Sequence, residues 1–138
     1  MPGLRDLTDL LATMSPALSA VDYGYAALPP GQGVPATLHP FAVIAEEEGL
    51  TLIAPVADLL ACGIAHQAGW ARISLTVHSD LAAVGLTAAI ATALATAGIS
   101  ANVVAGYFHD HIFVQRGLAD QAMAVLAGLT GAGVAGDE

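Results

Sequence analysis

The stretches AVIAEEEGLTLIAPVADLL, residues 42–60, and VVAGYFHDHIFVQRGLADQ, residues 103–121, decide the fold of this chain. In each stretch, two apolar runs flank a short polar turn, and a helix-forming segment follows. Apolar runs on either side of a tight turn are typical of a β-hairpin. The same order of elements, a hairpin and then a helix, therefore occurs twice, which indicates a fold of two related modules.

The first half of the chain is predicted to contain a leading helix, three strands and a short helix. These elements are expected at residues 4–14, 21–28, 41–46, 50–54 and 56–61, in that order. Glu47, Glu48 and Gly49 form the tip of the hairpin, Pro55 opens the short helix, and Gly63 ends it. A loop rich in proline and glycine, residues 29–40, stands where a further helix would complete the module.

The second half is predicted to contain a strand, a helix, a hairpin and a final helix. Its strands are expected at residues 70–77, 99–107 and 111–115, its final helix at 117–129, and a frayed tail at 131–138. The first of these strands alternates, with Ala71, Ile73, Leu75 and Val77 on the core face. The first helix is expected to begin at Ser79 as cap, with Asp80 in its first turn, and to end before Gly98. Its buried stripe is expected to be Leu86, Ile90 and Leu94.

This order of elements is that of the ferredoxin-like split βαβ plan. The prediction is an α+β protein of tandem βαββαβ modules, each an antiparallel sheet with helices on one face. Residues 1–68 are expected to form the first module, with the leading helix and without its first module helix. Residues 69–138 are expected to form the second module.

The charge of the chain restricts its partners. Twelve acidic residues stand against three arginines and no lysine, and the formal net charge is −9. Nucleic acids and anionic membranes both need clusters of Lys and Arg, so neither is an expected partner. A small ligand or a protein remains. Cys62 is the single cysteine, which excludes a disulfide within the chain. Together with a polar, acidic start that is not typical of a signal peptide, this predicts a cytoplasmic protein.

A membrane-spanning segment is the alternative for residues 81–108, which carry no charge over 28 positions. Alanine, threonine and glycine dominate this segment, and the flanking Lys, Arg and aromatic anchors of a spanning helix do not occur. A glycine at position 98 also interrupts it. A buried helix followed by a buried strand is therefore the preferred interpretation.

The segment VGLTAAIATALATAGISANVVAG, residues 84–106, resembles the core of ACT domains, including the regulatory modules of aspartokinases. With SLTVHSDLAAVGLTAA and GISANVVAGYFHDHIFV, it is similar to a family of small bacterial proteins built from two fused ACT modules. The resemblance covers residues 20–128. It implies an amino-acid-binding regulatory protein that binds its ligand between modules, pairs as a homodimer, and passes the signal to a protein partner. No cofactor is implied.

A ligand site is predicted where a strand turns into a helix. Gly85 in the first helical turn lets a ligand approach the backbone, and the N–H groups at a helix start can hold a carboxylate. The amide of Asn102 can accept from an α-ammonium group and donate to a carboxylate. The predicted ligand-binding residues are His78, Ser79, Asp80, Val84, Gly85, Leu86, Asn102 and Val103.

Several polar clusters have competing interpretations. His109, Asp110 and His111 suit a polar turn, a ligand or partner contact, or a metal, and their spacing disfavours the metal. The acidic run 46–48 is interpreted as a solvated hairpin and Cys62 as a core residue. A hydrolase that uses Ser79 and His78 is an alternative, although no G-x-S-x-G motif occurs. Neither catalytic residues nor a metal are expected, and an interaction module without a ligand is the second hypothesis.

Overall fold

The computed structural model describes residues 11–12, 14–76 and 84–135. By their contacts, the residues divide into two compact units. One unit is Ala20–Ala71, and the other is Arg72–Glu138 together with Met1–Ser19. Both units combine strands with helices, so the protein is α+β, as predicted.

The Ala20–Ala71 unit holds a small antiparallel sheet and one helix. Its elements are β1 (Pro16–Leu28, of which residues 20–28 belong here), β2 (Ala42–Glu46), β3 (Gly49–Pro55), α1 (Val56–Ala61) and β4 (Gln67–Leu75, of which residues 67–71 belong here). The strand order is β2-β3-β1-β4, and β3 is antiparallel to both β2 and β1. This is the ferredoxin-like order of the prediction, without a helix between β1 and β2.

The predicted hairpin and short helix are confirmed. Glu46 pairs with Gly49, so the turn consists of Glu47 and Glu48 alone. Gly49 has a φ of +135°, and a Cβ there would lie 2.0 Å from the carbonyl oxygen of Leu28. Only glycine fits this position. The helix spans Val56–Ala61, and Pro55 is extended with a ψ of 135°, so Pro55 precedes the helix as its N-cap residue and is not the first helical residue, as it was predicted to be.

The loop between β1 and β2 contributes side chains to the core of the first unit. Buried apolar side chains from β1, β3 and α1 form one cluster, which consists of Ala26, Leu28, Leu52, Ala54 and Leu59 together with Leu38. Leu38 comes from the loop between β1 and β2, and Val34 of the same loop packs against the cluster. The loop therefore does part of the covering that a helix would do.

The second unit contains the helix that the first unit lacks. It holds residues 16–19 of β1 and 72–75 of β4, and then α2 (Val84–Thr96), β5 (Asn102–Ala105), β6 (Asp110–Gln115), a 3₁₀ turn (Arg116–Leu118) and α3 (Ala119–Ala135). The strands follow the order β4-β6-β5, and β5 and β6 are antiparallel. Helix α3 packs on α2 and on β6. The predicted stripe of α2 is confirmed, because Leu86, Ile90 and Leu94 are at most 3% exposed.

Several predicted boundaries were wrong. Strand β1 begins at Pro16 and not at Val21, since proline is tolerated as the first residue of a strand. Strand β5 begins at Asn102 and not at Ile99, because the N–H of Ile99 bonds the carbonyl of Leu94 and so belongs to the end of α2. Gly98 has a φ of +78° there, the left-handed terminator that the sequence predicted.

The second hairpin and the last helix also differ from their predictions. Strand β5 ends at Ala105, and the Gly106 N–H bonds the His109 carbonyl at 2.9 Å, so the turn is longer than predicted and β6 starts at Asp110. Helix α3 begins after a 3₁₀ turn and extends to Ala135, so the predicted fraying from residue 131 was wrong up to that point. Of the predicted leading helix, 4–14, residues 11, 12 and 14 are described; residues 11–12 are helical and Met14 is not, so the predicted end at Met14 was wrong. Val77 lies outside the described residues.

Within residues 11–12, 14–76 and 84–135, no helix is both long and apolar enough to cross a membrane.

Candidate functional site

The predicted ligand site lies where β4 leads into α2. Residues 77–83 are outside the described part of the chain, and with them His78, Ser79 and Asp80. Val84 and Gly85 open α2. The next residue, Leu86, is 1% exposed and belongs to the buried stripe, so its side chain serves the core. The described part of this site is therefore the backbone at the helix start.

Asn102 and Val103, the other predicted residues, begin strand β5. Both are exposed, Val103 to 37%. Asn102 stands opposite Phe113 and Val103 opposite Ile112 on β6. Strand β5 ends the strand order, so one edge of it is not paired within the described sheet. The amide of Asn102 is thus placed at a sheet edge, where a ligand or a second chain can reach it.

The helix separates the two parts of the predicted site. Helix α2 has 13 residues, and at 1.5 Å per residue it is about 20 Å long. Gly85 lies in its first turn, and Asn102 follows its end by six residues. In a βαβ connection the helix runs antiparallel to the two strands, so it starts at one end of the strands and leads to the other end. We infer that one small ligand cannot contact both residues of the same copy.

The structure also contains a polar chain that the sequence did not predict as a unit. Nη1 of Arg72 donates to Oγ of Ser74 at 2.7 Å, and Oγ of Ser74 lies 2.7 Å from Nδ1 of His111. All three residues are half-buried. Ile73 and Leu75 are fully buried, so alternation along β4 places Arg72 and Ser74 on the face away from the core. The register that brings His111 beside Ser74 cannot be deduced from local sequence.

Burial and charge both act on His111. The partial burial of the imidazole lowers the pKa of His111 below its ordinary value, and the positive charges of Arg72 and His109 lower it further. The Asp110 carboxylate opposes them and raises it. The three lowering causes prevail, so the structure favours the neutral imidazole at this position.

The turn before β6 exposes two aromatic rings. Tyr107 is 82% exposed and Phe108 71%, and their rings pack edge to face with centroids 5.2 Å apart. The rings of His109 and His111 are 6.5 Å apart, also edge to face. Among the residues that the structure describes, no group of three or more His, Cys, Asp or Glu could hold a metal ion.

The remaining clusters fit simple structural roles. The Thr51 hydroxyl donates to the Glu46 carboxylate across the first hairpin, and Glu47 and Glu48 are exposed. Cys62 is half-buried, packs against the first core, and lies 3.6 Å from the Thr37 hydroxyl. These contacts agree with the interpretation of a solvated hairpin and of a cysteine that serves packing.

Known proteins resemble this chain over most of its length. One family model described as ACT domain matches residues 2–69, and a second ACT-domain model matches residues 65–128. A Vibrio cholerae protein of unknown function, described as a possible transport protein, is 45% identical. The match covers 93% of this chain and 98% of that one, with a TM-score of 0.79. No curated protein matches the chain.

Two other solved structures share the fold at low identity. An Agrobacterium tumefaciens protein is 18% identical over 85% of this chain and 89% of that one, with a TM-score of 0.73. The regulatory subunit of aspartate kinase from Thermus thermophilus, in its ligand-free form, is 12% identical over 85% and 97%, with a TM-score of 0.61. With both module matches in tandem, the chain belongs to the ACT-domain family, whose members are typically ligand-binding regulatory modules.

Proposed function

We propose that this protein is a regulatory sensor that binds a small molecule, an amino acid by preference, and transmits its presence to a protein partner. The observation that carries the proposal is the tandem of ACT-domain matches across residues 2–69 and 65–128. The charge supports it as well, because a net charge of −9 disfavours nucleic acids and anionic membranes as partners.

The proposed site belongs to the second unit. Its proposed residues are Val84, Gly85 and Leu86 at the start of α2 and Asn102 and Val103 at the start of β5, together with His78, Ser79 and Asp80, which lie outside the described residues. The backbone N–H groups at the start of α2 would hold the α-carboxylate, since the first N–H groups of a helix have no partner within it. The Asn102 side chain would accept from the α-ammonium group. The first unit has no helix between β1 and β2, and so offers no equivalent helix start.

We propose further that the protein acts as a homodimer. Helix α2 is about 20 Å long, so a ligand that contacts both Gly85 and Asn102 must take them from different copies. The open edge of β5 and the exposed Val103 suit pairing with a second chain. Light scattering during size-exclusion chromatography should give twice the chain mass, and a monomer that still binds an amino acid would contradict this arrangement.

We propose that the protein functions without catalysis and in the cytoplasm. ACT domains are regulatory modules, and the sequence contains no G-x-S-x-G motif. A single cysteine suits a reducing compartment. The alternative hydrolase depends on Ser79 and His78. A Ser79→Ala variant tests it, because hydrolysis of ester substrates that persists in this variant excludes Ser79 as the nucleophile.

A thermal-shift screen of the purified protein against the twenty amino acids tests the proposed function. A ligand at 100 times its Kd stabilises the folded state by about 2.7 kcal/mol. We expect a concentration-dependent rise in Tm for one amino acid and loss of this rise in Asn102→Ala. Gln67→Ala is the matched control, because it removes an exposed strand amide from the other unit. No rise with any amino acid would contradict the proposal.

The second candidate function is an interaction module that binds no small ligand. It is favoured by Tyr107 and Phe108, whose rings are 82% and 71% exposed at one turn. Aromatic residues are enriched at the centres of protein interfaces. If this alternative holds, a Tyr107→Ser, Phe108→Ser double variant loses its partner in pull-down experiments and keeps its Tm, and the amino-acid screen is negative.

A further inference from the structure

Strand β2 stands at one end of the strand order, so within the described sheet it pairs with β3 on one side only. Its sequence, AVIAE, is apolar except for Glu46 at the last position. An edge strand presents backbone N–H and C=O groups with which a further strand can pair, and proteins usually protect such an edge with charges, proline or a covering segment. The apolar edge of β2 is therefore suited to the addition of a strand.

Exposed apolar side chains extend from both faces of β2. Val43 and Ile44 are each 46% exposed, and because they are adjacent in a strand they point to opposite faces. Val43 stands opposite the fully buried Leu52, at the margin of the first core, and Ile44 stands opposite Thr51. A strand added beside β2 covers both side chains if it carries an apolar residue on each of its own faces.

The charge of the first unit indicates which kind of strand fits. Residues 20–71 include five acidic residues and neither lysine nor arginine, because the three arginines stand at positions 5, 72 and 116. Three of the acids form an acidic turn at the end of β2, and the others lie on β1 and α1. A basic strand is attracted to this unit, whereas a second copy of it, equally acidic, is repelled. The acids are Glu46, Glu47 and Glu48 of the acidic turn, with Asp22 and Asp58.

We propose that β2 is the docking edge for a basic, extended segment of another protein, which pairs with β2 as an added antiparallel strand. Antiparallel pairing is the more stable arrangement per residue. In this direction the basic residues come first in the partner segment, beside the acidic turn, and two adjacent apolar residues follow beside Ile44 and Val43. This edge is then the surface through which the proposed sensor contacts its protein partner, so the inference rests on that part of the proposed function.

A synthetic peptide, Lys-Lys-Lys-Thr-Val-Val-Thr, labelled with fluorescein, serves as the probe. In antiparallel register its third lysine stands beside Glu46, and its two valines stand beside Ile44 and Val43. Fluorescence anisotropy should show saturable binding that weakens as salt is added, because exposed charges are screened. The reversed peptide, Thr-Val-Val-Thr-Lys-Lys-Lys, has the same composition and should bind more weakly, since in antiparallel register its lysines lie away from the acidic turn.

N-methylation of the peptide separates strand addition from attraction by charge alone. In an antiparallel pair, the N–H groups of successive residues point alternately toward the neighbouring strand and away from it. A methyl group on the amide nitrogen of one valine should therefore abolish binding, and a methyl group on the amide nitrogen of the other valine should preserve it. This comparison needs no change in the protein.

Protein variants test the surface itself, and all the substituted side chains are exposed. Glu47→Gln with Glu48→Gln should weaken binding about fivefold at low salt, as expected for two exposed ion pairs. Asp120→Lys is the matched control, because it raises the net charge by the same two units at a position in the other unit, and it should bind nearly as wild type does. Val43→Ser with Ile44→Ser should weaken binding about tenfold, because the peptide valines lose their apolar contacts. Circular dichroism and urea unfolding establish that each variant is folded.

The proposal is overturned if the forward and reversed peptides bind equally, if the two N-methylated peptides bind alike, or if the acidic-turn variant binds no more weakly than Asp120→Lys. It is also overturned if sedimentation shows a self-association that excludes the peptide and is lost in the Val43→Ser, Ile44→Ser variant, since a second copy then occupies the edge. The thermal-shift screen tests amino-acid binding through Asn102 in the other unit. A rise in Tm with an amino acid but no binding of the peptide therefore overturns this inference alone.

Discussion

The two units share one strand order, but a loop packs on the strands in the first unit and a helix does so in the second. In the first unit the order is β2-β3-β1, and the connection between β1 and β2 is a loop. In the second it is β5-β6-β4, and the connection between β4 and β5 contains α2. The loop contributes Leu38, which is 3% exposed, whereas the helix contributes Leu86, Ile90 and Leu94.

The comparison shows that packing of the sheet and binding of a ligand have different structural requirements. A sheet needs apolar cover on its core face, and either loop or helix side chains supply it. A carboxylate site of the proposed kind needs the unpaired N–H groups of a helix start. The first unit has kept the cover and has no helix at this connection, so regulation by a ligand is proposed for the second unit alone.

Truncation of one buried leucine in α2 and of one in the loop between β1 and β2 tests whether the helix and the loop pack equally well. Leu94→Ala should lower the free energy of unfolding by about 4 kcal/mol, since a helix cannot collapse into the cavity. Leu38→Ala should cost about 2 kcal/mol, because a loop backbone can move to fill part of the space. Urea unfolding measures both losses, with circular dichroism and the fluorescence of Trp70 as probes.

Trp70, the single tryptophan, lies on β4 in the first unit, so its fluorescence reports that unit directly. Equal losses for the two variants would mean that the loop is as firmly packed as the helix. The loop and the helix would then differ in backbone conformation and not in rigidity.

A glycine in each hairpin gives the next comparison. Gly49→Ala should cost about 3 kcal/mol, because its φ of +135° and the Leu28 oxygen 2.0 Å from the added Cβ both oppose a side chain. Gly106→Ala should cost about 1 kcal/mol. There the added Cβ would lie 2.6 Å from the His109 oxygen, without a positive φ, and the longer turn can adjust.

Gly117→Ala is the control for both glycine variants, since nothing lies within 4 Å of its added Cβ. Its unfolding free energy should stay within about 0.5 kcal/mol of wild type. Thermal and urea unfolding provide the measurements. A Gly106→Ala loss as large as that of Gly49→Ala would show that the second hairpin is as tightly constrained as the first.

The fold followed from the sequence where one periodic pattern covered a whole element. Ala71, Ile73 and Leu75 alternate along β4 with a period of two, and all three are fully buried. Leu86, Ile90 and Leu94 repeat every four residues along α2 and are equally well buried. Such patterns arise from backbone geometry, and each is contained in fewer than a dozen consecutive residues.

Predictions failed where an apolar run served two elements. Ile99 has the character of a strand residue, yet its N–H closes the last turn of α2, so β5 starts three residues later. Gly85 in the first turn of a helix and Asn102 at the start of a strand were positions that the sequence predicted correctly. The hydrogen bond between Ser74 and His111 could not be predicted, because it joins residues 37 positions apart through the pairing of strands, and no local pattern records that register.

The smallest expected effect is a pH dependence that belongs to the second unit. Burial first, and then Arg72, lower the pKa of His111 in the folded state below the ordinary value of 6.5 that the unfolded chain keeps. The unfolded state therefore binds more protons as the pH falls through 6.5. Stability contributed by neutral His111 is fully present above that pH and is lost as the pH falls toward the folded pKa.

Urea unfolding between pH 5 and 7.5 or so should show this loss, with a slope of at most about 1.4 kcal/mol per pH unit from His111. His111→Asn should remove that part of the slope. His39→Asn, which replaces an exposed histidine of the first unit, should retain it. An unchanged slope in His111→Asn would mean that the pH dependence arises elsewhere, and the two units would then not differ in this respect.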